Sequence, residues 1–236
     1  MHGNDLMDLH GYLPSLLEGA WLTLAVALCS MAVAMVLGLL GAMAKLSRWR
    51  LAKGLATLYT TLIRGVPDLV LMLLIFFGGQ VAVNQIAAAL GYEDYIDINP
   101  FVAGVATIGF IFGAYLTEAF RGAFLAVPPG QREAGLAFGM SPRQVAWRIT
   151  LPQMFRHALP GLSNNWLVLI KSTAIVSVIG LHDLMTRGAQ AAGSTREPFT
   201  FYAAVALIYL VFTSASELLF DRLNKRFSTG VRSHTL

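Results

Sequence analysis

EAGLAFGMSPRQVAWRITLP, residues 133–152, is a polar and basic strip set between apolar stretches long enough to cross a bilayer. Gly139 suits the end of a short helix, because glycine accepts the left-handed backbone at low cost. Ser141 before Pro142 reads as the start of another. A serine hydroxyl can accept from the first free amides, and proline at the first helical position lacks only a donor that would go unused. The strip therefore predicts a helix over Glu133–Phe138, a Gly-Met-Ser turn, and a second helix over Pro142–Ile149 that Leu151-Pro152 ends. Phe138, Val145, Trp147 and Ile149 supply apolar surface, and Arg132, Arg143 and Arg148 supply charge. By composition alone, an interfacial loop held by lipid headgroups fits as well as a docking element.

Outward from the strip, the 236 residues are 56% hydrophobic and 13% charged, with mean hydropathy +0.63, far from a soluble domain of this size. A crossing helix needs about 20 apolar residues. Gly19–Ala44, Leu69–Tyr92, Ile98–Thr117 and Pro198–Ser216 carry no charge, and Ala158–Leu181 carries only Lys171. We predict five transmembrane helices in one all-α membrane domain spanning residues 1–236. The spans lie at about 16–44, 68–91, 99–126, 158–181 and 198–220, with the strip at 131–152. Residues 51–66 read as an amphipathic approach helix that Pro67 interrupts. The alternating pattern of a β-barrel is missing.

Lys and Arg in the loops set the expected orientation. Lys45, Arg48, Arg50 and Lys53, then Arg132, Arg143, Arg148 and Arg156, then Arg222, Lys225, Arg226 and Arg232 fall on one side. Asp5, Asp8, Glu18 and the acidic loop Glu93–Pro100 fall on the other, where Arg187 and Arg196 are the exceptions. This map puts the N-terminus outside, the C-terminus in the cytoplasm and the strip on the cytoplasmic side. The first span lacks a basic lead and is too long for a signal peptide's apolar core, so it reads as retained.

Several function classes are excluded. The pI near 9.4 is explained by basic loops at the inner face, so nucleic acid is not an expected partner. Cys29 stands alone within a span and builds no disulfide or thiolate site. His2, His10, His157, His182 and His234 are scattered, and no metal-spaced cluster, nucleophile elbow or GxxxxGK[ST] loop occurs. An acid–base set at one bilayer depth, which a membrane enzyme needs, is not evident. A channel or secondary carrier would gain nothing from an ordered cytosolic strip.

The strip's spacing resembles the EAA signature of ABC importer permeases, EAA-x3-G-x9-I-x-LP. Glu133, Ala134, Gly139, Ile149, Leu151 and Pro152 match, and Gly135 replaces the third signature alanine. That substitution weakens helix propensity slightly. Thr60–Gly78, Ala114–Gly122 (AYLTEAFRG) and Gly161–Gly180 resemble the approach segment and the third and fourth spans of polar amino acid permeases. Membrane subunits of histidine/lysine/arginine/ornithine importers are the most similar branch, with opine permeases close to them. The resemblance covers nearly the whole chain. It implies the type I importer permease fold in a bacterial inner membrane, with the strip as a coupling helix seated on a cytosolic ATPase. It further implies a homologous second permease subunit, two ATPase copies and a periplasmic amino-acid-binding protein. This chain would bind no cofactor itself, ATP and Mg belonging to the ATPase.

Ionisable and polar groups inside spans are costly and mark candidate sites for an amino-acid substrate. Asp68, after the break at Pro67, could attract a cationic head or cap the second span. Glu118 and Arg121 are three apart on one helical face and could pair, or they could serve as a gate or a substrate contact. Arg64 could snorkel to the inner interface. Asn164, Asn165, Lys171, Ser172 and Thr173 make the fourth span polar, with Asn164 and Lys171 on one face. The asparagines suit substrate or helix–helix bonding, and Lys171 could pair with Glu118, Asp68 or a substrate carboxylate.

Overall fold

A computed structural model describes residues 9–92 and 94–228. Asp5, Asp8, His2, Glu93, Arg232, His234 and the end of the C-terminal tail, all used in the sequence reading, lie outside the described residues. A 3-10 turn (Leu9–Gly11) leads into α1 (Leu13–Leu46), followed by α2 (Arg50–Gly65), α3 (Asp68–Ala89) and α4 (Pro100–Leu125). The strip holds α5 (Pro129–Ala137) and α6 (Pro142–Val145). A π-helical turn (Ala146–Thr150) joins α6 to α7 (Leu151–Ser172), which tightens to 3-10 geometry over Thr173–Ile179. Helices α8 (Leu184–Thr195) and α9 (Pro198–Ser228) complete the described chain. By length and composition, α1, α3, α4, the continuous helix Pro142–Ile179 and α9 can each cross a membrane.

The most extensive packing is between α1 and α4. Inside lipid the tails are as apolar as leucine, so helices associate through close contact rather than the hydrophobic effect. The small residues of α1 provide it. A Cβ on Gly38 would stand 2.6 Å from Cβ of Leu116, and one on Gly41 would overlap Thr117. The partner of these small residues is α4. A second, smaller core at the other end of α1 gathers Leu16, Leu184, Ala191 and Phe201 from α1, α8 and α9.

Three features depart from the expected map. Leu151-Pro152 does not end a helix. Pro152 has no N–H for the carbonyl of Arg148 and its ring would crowd it, but the π turn widens the coil just ahead, with Leu151 N–H reaching back to Ala146 O. The helix that holds the expected fourth span thus starts at Pro142, fused to the strip. Next, α8 fills what read as an outer loop. Finally, α9 runs on as helix to Ser228, past the segment at about 198–220 expected to cross. The loop before α4 is extended and is pinned by two amides of α3. Asn84 bonds the Ile96 N–H and carbonyl at 2.8 and 2.9 Å, and Gln80 accepts from Ile98 N–H at 3.0 Å.

Candidate functional site

The strip is a pair of interlocked caps. At the end of α5, Gly139 has φ +81°, Met140 N–H bonds Gly135 O at 3.1 Å and Gly139 N–H bonds Leu136 O at 3.0 Å. This is a Schellman stop, which a left-handed residue completes. The next residue but one begins the following helix: Gln144 N–H donates to Ser141 Oγ at 3.3 Å and Ser141 N–H to Gln144 Oε1 at 2.8 Å. That capping box is worth about 1 kcal/mol. Only Met140 separates stop from start, so the angle between α5 and α6 is held by the backbone bonds of the stop and the side-chain bonds of the box.

Side chains divide by face. Val145 is buried and Gly135 sits against it and Ile149. Glu133, Ala134, Pro152, Arg132, Arg143 and Arg148 are exposed, Ile149 and Leu151 half-buried. Phe138 is 89% exposed and Trp147 66%, with Leu136 beside them at 41%. Of the four apolar residues expected to dock, Phe138 and Trp147 are therefore free to do so, Val145 holds the strip together, and Ile149 sits between the two roles. Exposed aromatics rimmed by charge mark a contact surface for another protein or for the membrane.

Within the spans, the structure gathers the candidates into separate clusters. Glu118 takes Lys45 on Oε1 and Arg121 Nε on Oε2 at 2.9 Å, and Lys45 also donates to Thr60 at 2.6 Å. The expected Glu118–Arg121 pair is present, but Lys45 makes it a tie between α1, α2 and α4. Asp68 does not cap α3: Pro67 holds the cap position and no side chain closes it. The Asp68 carboxylate accepts from Tyr115 Oη at 3.3 Å instead, and the Arg64 guanidinium lies 5.8 Å over the same ring. Arg64 is thus exposed and stacked on an aromatic face.

Lys171 pairs with neither Glu118 nor Asp68. It is exposed beside a groove lined by Met185, Tyr202 and Tyr209 and makes no ion pair among the described residues. Asn164 is exposed on the same helix, while Asn165 donates to Gly161 O at 2.8 Å within its own turn. Ser172 and Thr173 likewise bond backward, to Val168 O at 3.1 Å and Ile170 O at 2.7 Å.

One site escaped the sequence reading. Asp183 starts α8, accepting from Thr186 N–H and Oγ1 at 2.9 Å each, and its Oδ2 is buried with no partner. Burial raises its carboxyl above the ordinary value, the Thr186 bonds working against the rise. Asp183-x-x-Thr186 was the available cap signal. Beside it Arg187 ties α8 to α1 through Glu18 at 2.8 Å and Ser15 at 3.0 Å.

A five-span helical chain with a doubly capped strip between its third and fourth spans fits the permease half of an importer. Residues 34–229 match the model of the binding-protein-dependent transport system inner membrane component family, and the chain belongs to it. It is a multi-pass inner-membrane permease component. The chain is 52% identical over 224 residues to the histidine/lysine/arginine/ornithine transport system permease protein HisQ of Escherichia coli (strain K12), covering 95% of this chain and 98% of that protein. It is 45% identical over 224 residues to the nopaline transport system permease protein NocQ of Agrobacterium fabrum (strain C58 / ATCC 33970), with 94% and 95% covered. Its backbone is similar to the crystal structure of an amino acid ABC transporter with histidines, with TM-score 0.79 and 31% identity over 96% of this chain and 100% of that one.

Proposed function

We propose that this chain is a permease subunit of an ATP-driven importer for basic polar amino acids, coupled through residues 131–152. The supporting observation is the strip itself, rigidly capped at Gly139 and Ser141, with Phe138 and Trp147 exposed and Pro152 continuous with the fourth span. Load applied to α5 and α6 passes into α7 without a flexible joint. The N-terminus is outside and the strip in the cytoplasm, on the loop-charge argument. Two copies of a cytosolic ATPase hold ATP and Mg; a homologous second permease completes the membrane pair, and an outer binding protein delivers substrate. ATP-driven closure pushes the strip and opens the spans outward, and hydrolysis resets them.

For substrate, the Asp68–Tyr115–Arg64 cluster at the break between α2 and α3 supports a cationic amino acid. The Asp68 carboxylate accepts one long bond from a neutral hydroxyl and retains acceptor capacity. The relatives include a histidine/lysine/arginine/ornithine permease and a nopaline permease, so an opine carrying a guanidinium is the second reading. Proteoliposomes holding the full complex and binding protein test this with labelled arginine, histidine and nopaline. Uptake that persists without ATP would remove the importer reading, and preference for nopaline would favour the second substrate.

A further inference from the structure

Away from Asp68, the ends of α1, α2 and α4 nearest the strip enclose a cavity of about 370 Å³. Lys45, Lys53 and Arg121 line it against one carboxylate, Glu118, whose two oxygens are already taken by Lys45 and Arg121. Lys53 makes no ion pair among the described residues, and Arg121 meets Glu118 through Nε alone, so its two terminal nitrogens keep donors to spare. A cationic amino acid would be repelled here; the donors select an anion. Leu46 and Leu125 supply the apolar part of the wall. The two are 41% and 61% exposed, and both also line a neighbouring cavity of about 380 Å³ that reaches Arg132 in the strip. Trp49, 77% exposed at the corner between α1 and α2, is the residue type that settles at a membrane–water boundary.

A cationic floor beside exposed leucines at the basic face of a membrane protein matches a phospholipid better than a free ion. We propose that this cavity seats the phosphate of an anionic phospholipid of the inner leaflet between Lys53 and Arg121, with its acyl chains along Leu46 and Leu125. The assignment rests on the cytoplasmic placement of these loops. Because Leu46 and Leu125 belong to both cavities, the lipid adjoins the strip.

The test uses the complete transporter, purified with its partner subunits and examined by native mass spectrometry after exposure to phosphatidylglycerol or phosphatidylcholine. The intact complex retains phosphatidylglycerol over phosphatidylcholine. Lys53→Gln lowers that retention about fivefold, the effect of one basic residue at an anionic surface, and Lys53→Arg preserves it. Arg196→Gln, on the opposite side, leaves retention unchanged. Equal retention by Lys53→Gln, or equal retention of the two lipids, overturns the assignment. If inorganic phosphate displaces phosphatidylglycerol, the site takes a free anion and the lipid reading falls. Labelling a cysteine placed at position 53 with a membrane-impermeant reagent checks the orientation separately.

Discussion

Gly135 of α5 rests directly under Ile149 of the π turn: a Cβ on Gly135 would come within 2.7 Å of Ile149 Cδ1 and 3.0 Å of Val145 Cγ2. The one position where the strip departs from the EAA signature is thus the point where its two halves touch. Helix propensity alone would favour alanine there by about 1 kcal/mol. The contact opposes that gain, since overpacking costs about 1–3 kcal/mol.

Gly135→Ala is expected to push Ile149 outward and to lower uptake per ATP hydrolysed about fivefold, the equivalent of ~1 kcal/mol of overpacking. Ile149→Val removes the Cδ1 that clashes, so the double variant should recover most of the ratio. Uptake and hydrolysis measured on the same proteoliposomes decide it. A double variant no better than Gly135→Ala would break the link between the two residues.

Gly139→Val should uncouple the ATPase. At φ +81° a side chain costs about 1–2 kcal/mol, more for a β-branched one, and the Schellman stop opens. Hydrolysis continues while uptake falls, with membrane insertion unchanged. Undiminished uptake would count against a coupling role for the turn.

Asp68→Asn should weaken handling of arginine more than that of a neutral analogue, by about tenfold for loss of one charge-assisted bond. Tyr115→Phe, which removes only the hydroxyl facing Asp68, should affect both substrates less. Competition assays with arginine and glutamine read the difference. Equal losses for both substrates would take Asp68 out of the specificity argument.

Asp183 predicts a pH dependence of stability. Burial raises its folded pKa above the ordinary 3.8, despite the opposing Thr186 bonds. A carboxyl raised on folding contributes stability that is fully present below the unfolded value and lost as pH rises through the folded one. Asp183→Asn keeps an acceptor for Thr186 and carries no charge. Thermal unfolding of the complex, followed upward from pH ~4, should therefore fall more for the native protein than for the variant. Parallel curves would mean that Asp183 does not titrate in this range.

Some of this protein was legible before any coordinates. Uninterrupted apolar runs mark the crossing helices, because in lipid each span must satisfy its own backbone bonds and local composition decides which segments can. The cap signals at Gly139 and Ser141-Pro142 are equally local, and both appear in the strip as read. The tertiary structure decided what depends on distant residues. It chose α4 as the partner of Gly38 and Gly41, joined Lys45 to Glu118 across 73 positions, and turned Asp68 from a cap into a partner of Tyr115. It also carried the helix through Pro152, since a π turn rearranges carbonyls in a way that residue identity does not announce. Backbone hydrogen bonds reach four or five residues and can be read along the chain; ion pairs and close packing act through space, and their partners exist only once the helices have met.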